Sequence, residues 1–159
     1  MGIRSAAKAI ILDDGKILLN RCYDEKNGEY FSLPGGGQNL YETLHETIIR
    51  ECIEETGYTV TPLRFAALYE EICDDTSFRE KYPDYAHKML HVFVCSLFSQ
   101  KVKKPTETDS SQITSEWIDI DSLKSIRLLP KAVGDNIRQI IDCDSPVFLG
   151  SEHIPFNHG

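Results

Sequence analysis

A chain of 159 residues with 41% hydrophobic content is sized for one domain with its own core, and its formal charge of −8 opposes long polyanions, which excludes extended nucleic acid as a partner. Five cysteines (Cys22, Cys52, Cys73, Cys95, Cys143) form no C-x-x-C pair and are odd in number, so they suit neither a disulfide framework nor a zinc site; reduced thiols in the cytoplasm are expected. Lys8 interrupts the apolar run from Ala6 to Leu12, and Asp13 and Asp14 close it, which leaves no secretory or membrane-spanning segment; Ala6 also stands where a myristoylation signal needs Ser or Thr.

In chain order, the Ile- and Ala-rich stretch from Ser5 to Leu12 reads as a strand. Asp13-Asp14-Gly15-Lys16 supplies turn chemistry before a second apolar run, Ile17 to Leu19, so the two predict a β-hairpin. A polar loop from Tyr23 to Tyr30 leads to a short strand, Phe31 to Leu33, which Pro34 ends, and three glycines follow, Gly35 to Gly37, which read as a flexible bend. From Leu44 the period becomes helical: Leu44, Ile48 and Cys52 form one stripe, with Ile49 and Ile53 beside it. Thr43-Leu44-His45-Glu46 has the capping-box form at its start, and Gly57 is its stop.

Beyond Gly57, Tyr58 to Leu68 and Met89 to Phe98 are β-rich. The charged stretch between them, Glu70 to His87, lacks a period and predicts a long loop with room for a short helix. A polar segment, Gln100 to Gln112, precedes a strand at Trp117 to Ile120, and Leu128-Leu129-Pro130 introduces a helix ending near Ile141. The order β-β-β-α-β-β-β-α predicts an α/β (α+β) fold in which helices cover both faces of a mixed sheet. Residues 1–159 read as one domain, with 146–159 a C-terminal tail in which His153 and His158 fray.

The chemistry concentrates between Gly36 and Tyr58. Glu51, Glu54 and Glu55 stand at i, i+3 and i+4, which places three carboxylates on one helix face within reach of a common point. Such a cluster is usually a solvated face. Like charges held together repel, however, and a hard divalent cation turns that repulsion into attraction through oxygen ligands; Mg²⁺ or Mn²⁺ fits the donor type. Two neighbours favour this reading. The glycine triplet lets backbone approach a ligand closely, and Arg50, four residues before Glu54, can orient that carboxylate.

The stretch GGQNLYETLHETIIRECIEETGY resembles the Nudix box, G-x5-E-x7-R-E-U-x-E-E-x-G-U with U a bulky apolar residue: Gly36, Glu42, Arg50, Glu51, Glu54, Glu55 and Gly57 match every fixed position, and only Cys52 and Tyr58 are loose fits. The resemblance implies a Nudix-type α/β/α sandwich with a mixed central β-sheet. The activity it implies is metal-dependent hydrolysis of a phosphoanhydride bond in a nucleoside diphosphate linked to a nucleotide, a sugar or an ADP-ribose-like group. By the same resemblance Glu51, Glu54, Glu55 and the Gly35 carbonyl hold the metal, Arg50 orients, and Glu42 is a structural or outer metal partner. The general base is either a box glutamate or a carboxylate on a later loop, where Glu107, Asp109 and Glu116 stand. The resemblance also leaves room for a homodimer.

On the substrate side, Gly36 and Gly37 offer backbone to phosphates, and Arg21 and Lys88 are candidate cations that could reach over the glycines, although each alone is an ordinary surface charge. Tyr23, Tyr30, Phe31, Tyr69, Phe78, Tyr82 and Tyr85 are candidates to stack a base, or packing residues. His91, on an alternating strand, reads as a bonded core histidine. Two other functions compete. A non-catalytic nucleotide-sensing module need not keep every acidic residue, and this chain keeps them all. A helix-surface interaction protein would need neither the glycines nor the capping box.

Overall fold

The computed structural model describes residues 2–108 and 110–158. The expected hairpin forms between β1 (Arg4–Asp13) and β2 (Lys16–Asp24), which pair antiparallel with Ile11 opposite Leu18. Chain order continues with β3 (Gly28–Ser32), β4 (Gly35–Gly37), α1 (Leu44–Thr56), β5 (Tyr58–Cys73), α2 (Thr76–Lys81), β6 (His87–Val102), β7 (Gln112–Asp119), β8 (Leu128–Leu129), α3 (Lys131–Asp142) and β9 (Val147–Ile154). Among the described residues the nine strands make one mixed sheet in the order β8-β3-β2-β1-β6-β5-β9, with β4 paired to β1 and β7 to β2. The β1–β6, β3–β8 and β5–β9 pairs are parallel.

Side chains alternate across β1, and that alternation builds two cores. Ala7, Ala9 and Ile11 pack with Ile48 and Cys52 of α1, whereas Ile10 packs on the other face with Val133, Ile137 and Ile140 of α3. Helices thus cover both faces, as the order of elements predicted.

Three expectations need correction. The glycine triplet is not a free bend. It is an extended strand, with Gly36 opposite Ala7 and Gly35 opposite Lys8, because residues without side chains can fit into the gap where β2 diverges from β1. The loop predicted for Glu70 to His87 is shorter, since β5 runs on to Cys73 and carries its charged end, Glu70 and Glu71, in register with Met89 and Lys88 of β6. Burial of that paired charge hid the strand from a hydrophobicity pattern. Finally, the segment expected to fray carries β9, whose residues 151–154 run in register with Glu70 to Cys73.

The five cysteines are free, four of them buried. His91 is bonded as expected, its Nδ1 lying 3.1 Å from the Ala6 carbonyl oxygen. Among the described residues no helix is long and apolar enough to cross a membrane.

Candidate active site

Local chemistry fixes α1. Thr43 Oγ1 accepts from the Glu46 N–H at 3.2 Å, and the Glu46 carboxylate accepts from the Thr43 N–H at 2.7 Å. A cap of this kind contributes about 1 kcal/mol. At the other end Gly57 takes φ 78°, and its N–H donates to the Ile53 carbonyl at 3.0 Å. A side chain there would strain the backbone and strike the Lys103 carbonyl. The N–H groups of Thr106 and Glu107 both donate to the Glu54 carbonyl at 3.0 Å, so the loop after β6 seals the last turn of the helix.

Arg50 organises the charges. Its Nε and Nη2 donate to the two Glu42 carboxylate oxygens at 2.7 and 2.9 Å, and Nη2 also donates to the Gly37 carbonyl at 2.9 Å. Nη1 donates to Glu51 Oε1 at 2.6 Å and Glu54 Oε2 at 3.2 Å. The guanidinium hydrogen bonds hold the Glu42 carboxyl down to about 2, and the same contacts raise the pKa of Arg50.

Glu51 and Glu54 therefore meet at a common point, which Arg50 supplies. Glu55 does not share it. This side chain is not on a solvated face but buried, at 5% exposure, and turns toward the glycine strand. Its Oε1 accepts from the Gly35 N–H at 3.2 Å and from Asn20 Nδ2 at 3.3 Å. Asn20 is in turn fixed by Ser115 Oγ, which donates to its Oδ1 at 2.8 Å, and Gln112 Nε2 donates to the Glu55 carbonyl at 3.0 Å. A buried carboxylate is tolerable only with donors of this kind.

As placed, no three carboxylates among the described residues converge on a metal-sized space. The donor set still suits a hard cation: three carboxylates and a backbone carbonyl, all oxygen. The backbone also comes close to these donors: a Cβ on Gly36 would lie 2.6 Å from the Glu51 carboxyl carbon, so only glycine lets the strand reach this carboxylate.

The other expected residues fall apart in space. Arg21 is ion-paired with Glu29 at the surface. Lys88 does not reach over the glycines. It is buried, 2.9 Å from Glu71, because that charge pair closes the ends of β5 and β6. Glu107 is brought beside Glu54 by its backbone, with its side chain exposed. Asp109 lies outside the described residues. Glu116 stands opposite Leu19, whose side chain packs on the α3 face, and paired residues point to the same side, so Glu116 lies across the sheet from α1. Of the aromatic candidates, Tyr30 and Tyr69 are buried, whereas Phe78, Tyr82 and Tyr85 line a cleft of about 700 Å³.

Two cations were missed. Lys8 Nζ donates to the Gly35 carbonyl at 3.2 Å, and the Arg4 guanidinium lies against Gly37 with its carbon 4.4 Å from the Tyr85 ring centre. Their signal was present: they lie four apart in a strand and so share a face.

The NUDIX domain family model matches residues 2–142. A Caenorhabditis elegans protein provisionally named nudix hydrolase 1 is 27% identical over 82% of this chain and 36% of its own length. A protein of Bacillus subtilis strain 168, provisionally named ADP-ribose pyrophosphatase YjhB, is 25% identical over 71% of this chain and 50% of its own. The chain thus spans half or less of the curated relatives it matches. The fold is shared with a MutT protein of Bacillus halodurans (TM-score 0.69, 17% identity, 96% of this chain and 91% of that one). It is also shared with a UDP-X diphosphatase (TM-score 0.65, 20% identity, 93% and 67%).

Proposed function

Because this chain belongs to the Nudix family, we propose that it hydrolyses a phosphoanhydride bond in a small nucleoside diphosphate linked to a second moiety, with Mg²⁺ or Mn²⁺ as cofactor. The observation that carries this reading is the web around Arg50, where Glu42, Glu51, Glu54 and the Gly37 carbonyl meet one guanidinium beside the strand that Glu55 anchors. Three carboxylates on one face are costly unless countered, and a structural helix needs no such cluster. A substrate of this class is supported by the provisional naming of one relative as an ADP-ribose pyrophosphatase and the naming of one structural neighbour as a UDP-X diphosphatase.

Glu51, Glu54, Glu55 and the Gly35 carbonyl would hold the metal. When bound, the ion would neutralise the diphosphate and favour a nucleophilic water at neutral pH. The remaining tasks fall to the chain itself. Arg50 holds Glu51 and Glu54 in one orientation through a rigid fork of donors. Glu55, fixed by Asn20, positions the Gly35 amide and hence the glycine strand. Arg4 and Lys8 bring positive charge to the two ends of that strand, which offsets the net charge of −8 for an anionic substrate. Glu54, with 25% of its side chain exposed, is the most open of the three and takes the proton of the attacking water.

The test is incubation with ADP-ribose, UDP-glucose and a dinucleoside polyphosphate, with Mg²⁺ or with EDTA, followed by chromatography of the nucleoside monophosphate released. Metal-dependent release from at least one compound is expected. Release that persists undiminished in EDTA would refute the metal assignment.

A further inference from the structure

Behind the glycine strand lies a second group of charges that the chemistry above does not use. Glu71 of β5 and Lys88 of β6 are enclosed, with side chains 1% and 7% exposed, and their charged atoms are 2.9 Å apart. Burying a charge pair costs more than burying apolar residues of the same volume, so it is weak evidence for a purely structural role. The two line a small enclosed cavity of about 20 Å³ with Lys8, Ser32, Leu33 and His158. Lys8 connects it to the glycine strand through the Gly35 carbonyl, and Ser32 and Leu33 lead directly into that strand.

What closes the cavity is the segment after β9. Asn157 Oδ1 accepts from Lys88 Nζ at 3.0 Å, and His158 Nε2 lies 3.4 Å from Glu71 Oε2. That contact is a proximity and not a hydrogen bond: both buried Glu71 carboxylate oxygens lack a hydrogen-bond partner among the described residues. Burial also lowers the His158 pKa below the ordinary histidine value, which favours the neutral ring. The imidazole stands edge-on to Tyr30 at 6.4 Å. The segment is held at the surface by Asn27 Nδ2, which donates to the Asn157 carbonyl at 2.9 Å, and by Lys26 over the Phe156 ring at 4.9 Å. Asn157 also lines the open 700 Å³ cleft with Phe78, Tyr82 and Tyr85, so the segment forms the wall between cleft and cavity.

Asn157 thus presents a carboxamide oxygen to Lys88, and His158 lays the edge of a flat ring against Glu71, whose two oxygens are left for the N–H groups of a ligand to serve. A nucleobase with a lactam edge offers a carbonyl for Lys88 and an N–H for Glu71 side by side. Guanine offers more: its O6 accepts, and its N1–H and N2–H can serve both oxygens of one carboxylate. Uracil retains the carbonyl and one N–H. Adenine and cytosine lack the N–H next to a carbonyl, and they would give the Lys88 ammonium a ring nitrogen.

We infer that Glu71 and Lys88 are a nucleobase-recognition pair, selective for guanine, and that Asn157 and His158 occupy it as a displaceable stand-in until a base enters from the cleft. This rests on the reading of the substrate as a nucleoside diphosphate derivative, but not on turnover. On binding, Lys88 would exchange the Asn157 carbonyl for O6, and Glu71 would exchange the imidazole for the two guanine N–H groups.

The experiment is calorimetric titration of the full chain with GDP, UDP, ADP and CDP in metal-free buffer, where hydrolysis plays no part. Removing the competing side chains in N157A/H158A should tighten GDP binding by about tenfold or more, and leave GDP about tenfold tighter than ADP or CDP. Glu71→Gln in that background should erase the preference, because a carboxamide offers a donor where guanine presents one. Equal tightening for all four nucleotides, or none for GDP, would overturn the inference. A second reading uses the unaltered protein: the His158 ring proton resonance, assigned by its loss in His158→Gln, should shift on GDP addition as the ring leaves Tyr30. A resonance unmoved at saturating GDP would also overturn it. Failure here with metal-dependent hydrolysis intact would strike only the base pair, whereas GDP-selective binding without hydrolysis would strike only the catalytic reading.

Discussion

Two groups of charged side chains flank Gly35, and they are built differently. On α1 the group is local: Glu42, Arg50, Glu51 and Glu54 come from one turn and its helix, and their side chains stay 14–27% exposed. Behind the glycine strand, Glu71, Lys88 and His158 come from three separate stretches and are 1–9% exposed. Water can share the loss of a partner in the first group but not in the second. The first is therefore suited to rearranging around an incoming cation, and the second to all-or-none exchange of one set of polar partners for another.

The contrast breaks most readily at the open group. Glu54→Gln should lower turnover by about 100- to 10,000-fold, the range spanned by loss of a positioned proton acceptor. It should leave stability within about 0.5 kcal/mol, because the side chain is part-exposed. Retained turnover would remove Glu54 from the chemistry. At the enclosed group the larger effect should be on folding: Lys88→Met leaves Glu71 buried and unmatched, at a cost of about 3–5 kcal/mol in urea titration. The pair Glu71→Leu with Lys88→Met should recover most of that loss. If Lys88→Met costs no more than a surface change, the cavity is wetter than its geometry implies. Arg50→Lys comes next. An ammonium cannot span the four carboxylate oxygens and the carbonyl that the guanidinium fork reaches, so kcat/KM should fall by about 10- to 100-fold. A change below twofold would show that the carboxylates orient themselves.

The same contrast explains what could be read from sequence. The α1 group is written in residue spacing, because i, i+3 and i+4 share a helix face wherever the helix goes, and the capping box and Gly57 mark its ends locally. The helices on both faces of a mixed sheet were legible for the same reason. Burial of Glu55 was not, since the donors that make it tolerable, Asn20 and the Gly35 amide, reach it only through the sheet. Gly35 to Gly37 read as a bend because three glycines carry no pattern, and only the neighbouring β1 makes them a strand. Glu71 and Lys88 are 17 residues apart on paired strands, and a charged residue at a strand end looks like the start of a loop. Segment 155–158 has no period at all. Its order comes from Lys26, Asn27, Glu71 and Lys88, which nothing within the segment announces.

The smallest effect is a pH dependence confined to the open group. In the folded chain the hydrogen bonds from Arg50 hold the Glu42 carboxyl at about 2, against 4.5 for a free glutamate. Between those values the unfolded chain binds a proton at this site that the folded chain does not, so stability falls as pH falls. The contribution of Glu42 is complete above about 4.5 and drains away toward 2. Arg50, its own pKa raised, stays charged throughout, so the loss belongs to the carboxylate alone. Glu42→Gln removes the titrating group while keeping the shape. The wild-type melting temperature should therefore exceed that of the variant at pH 6 in EDTA, and the gap should close as the pH is lowered toward 2.5. A gap that stays constant over that interval would mean that the Glu42–Arg50 contact acts through shape rather than charge, and that the open group is less dependent on ionisation than its four hydrogen bonds to carboxylates imply.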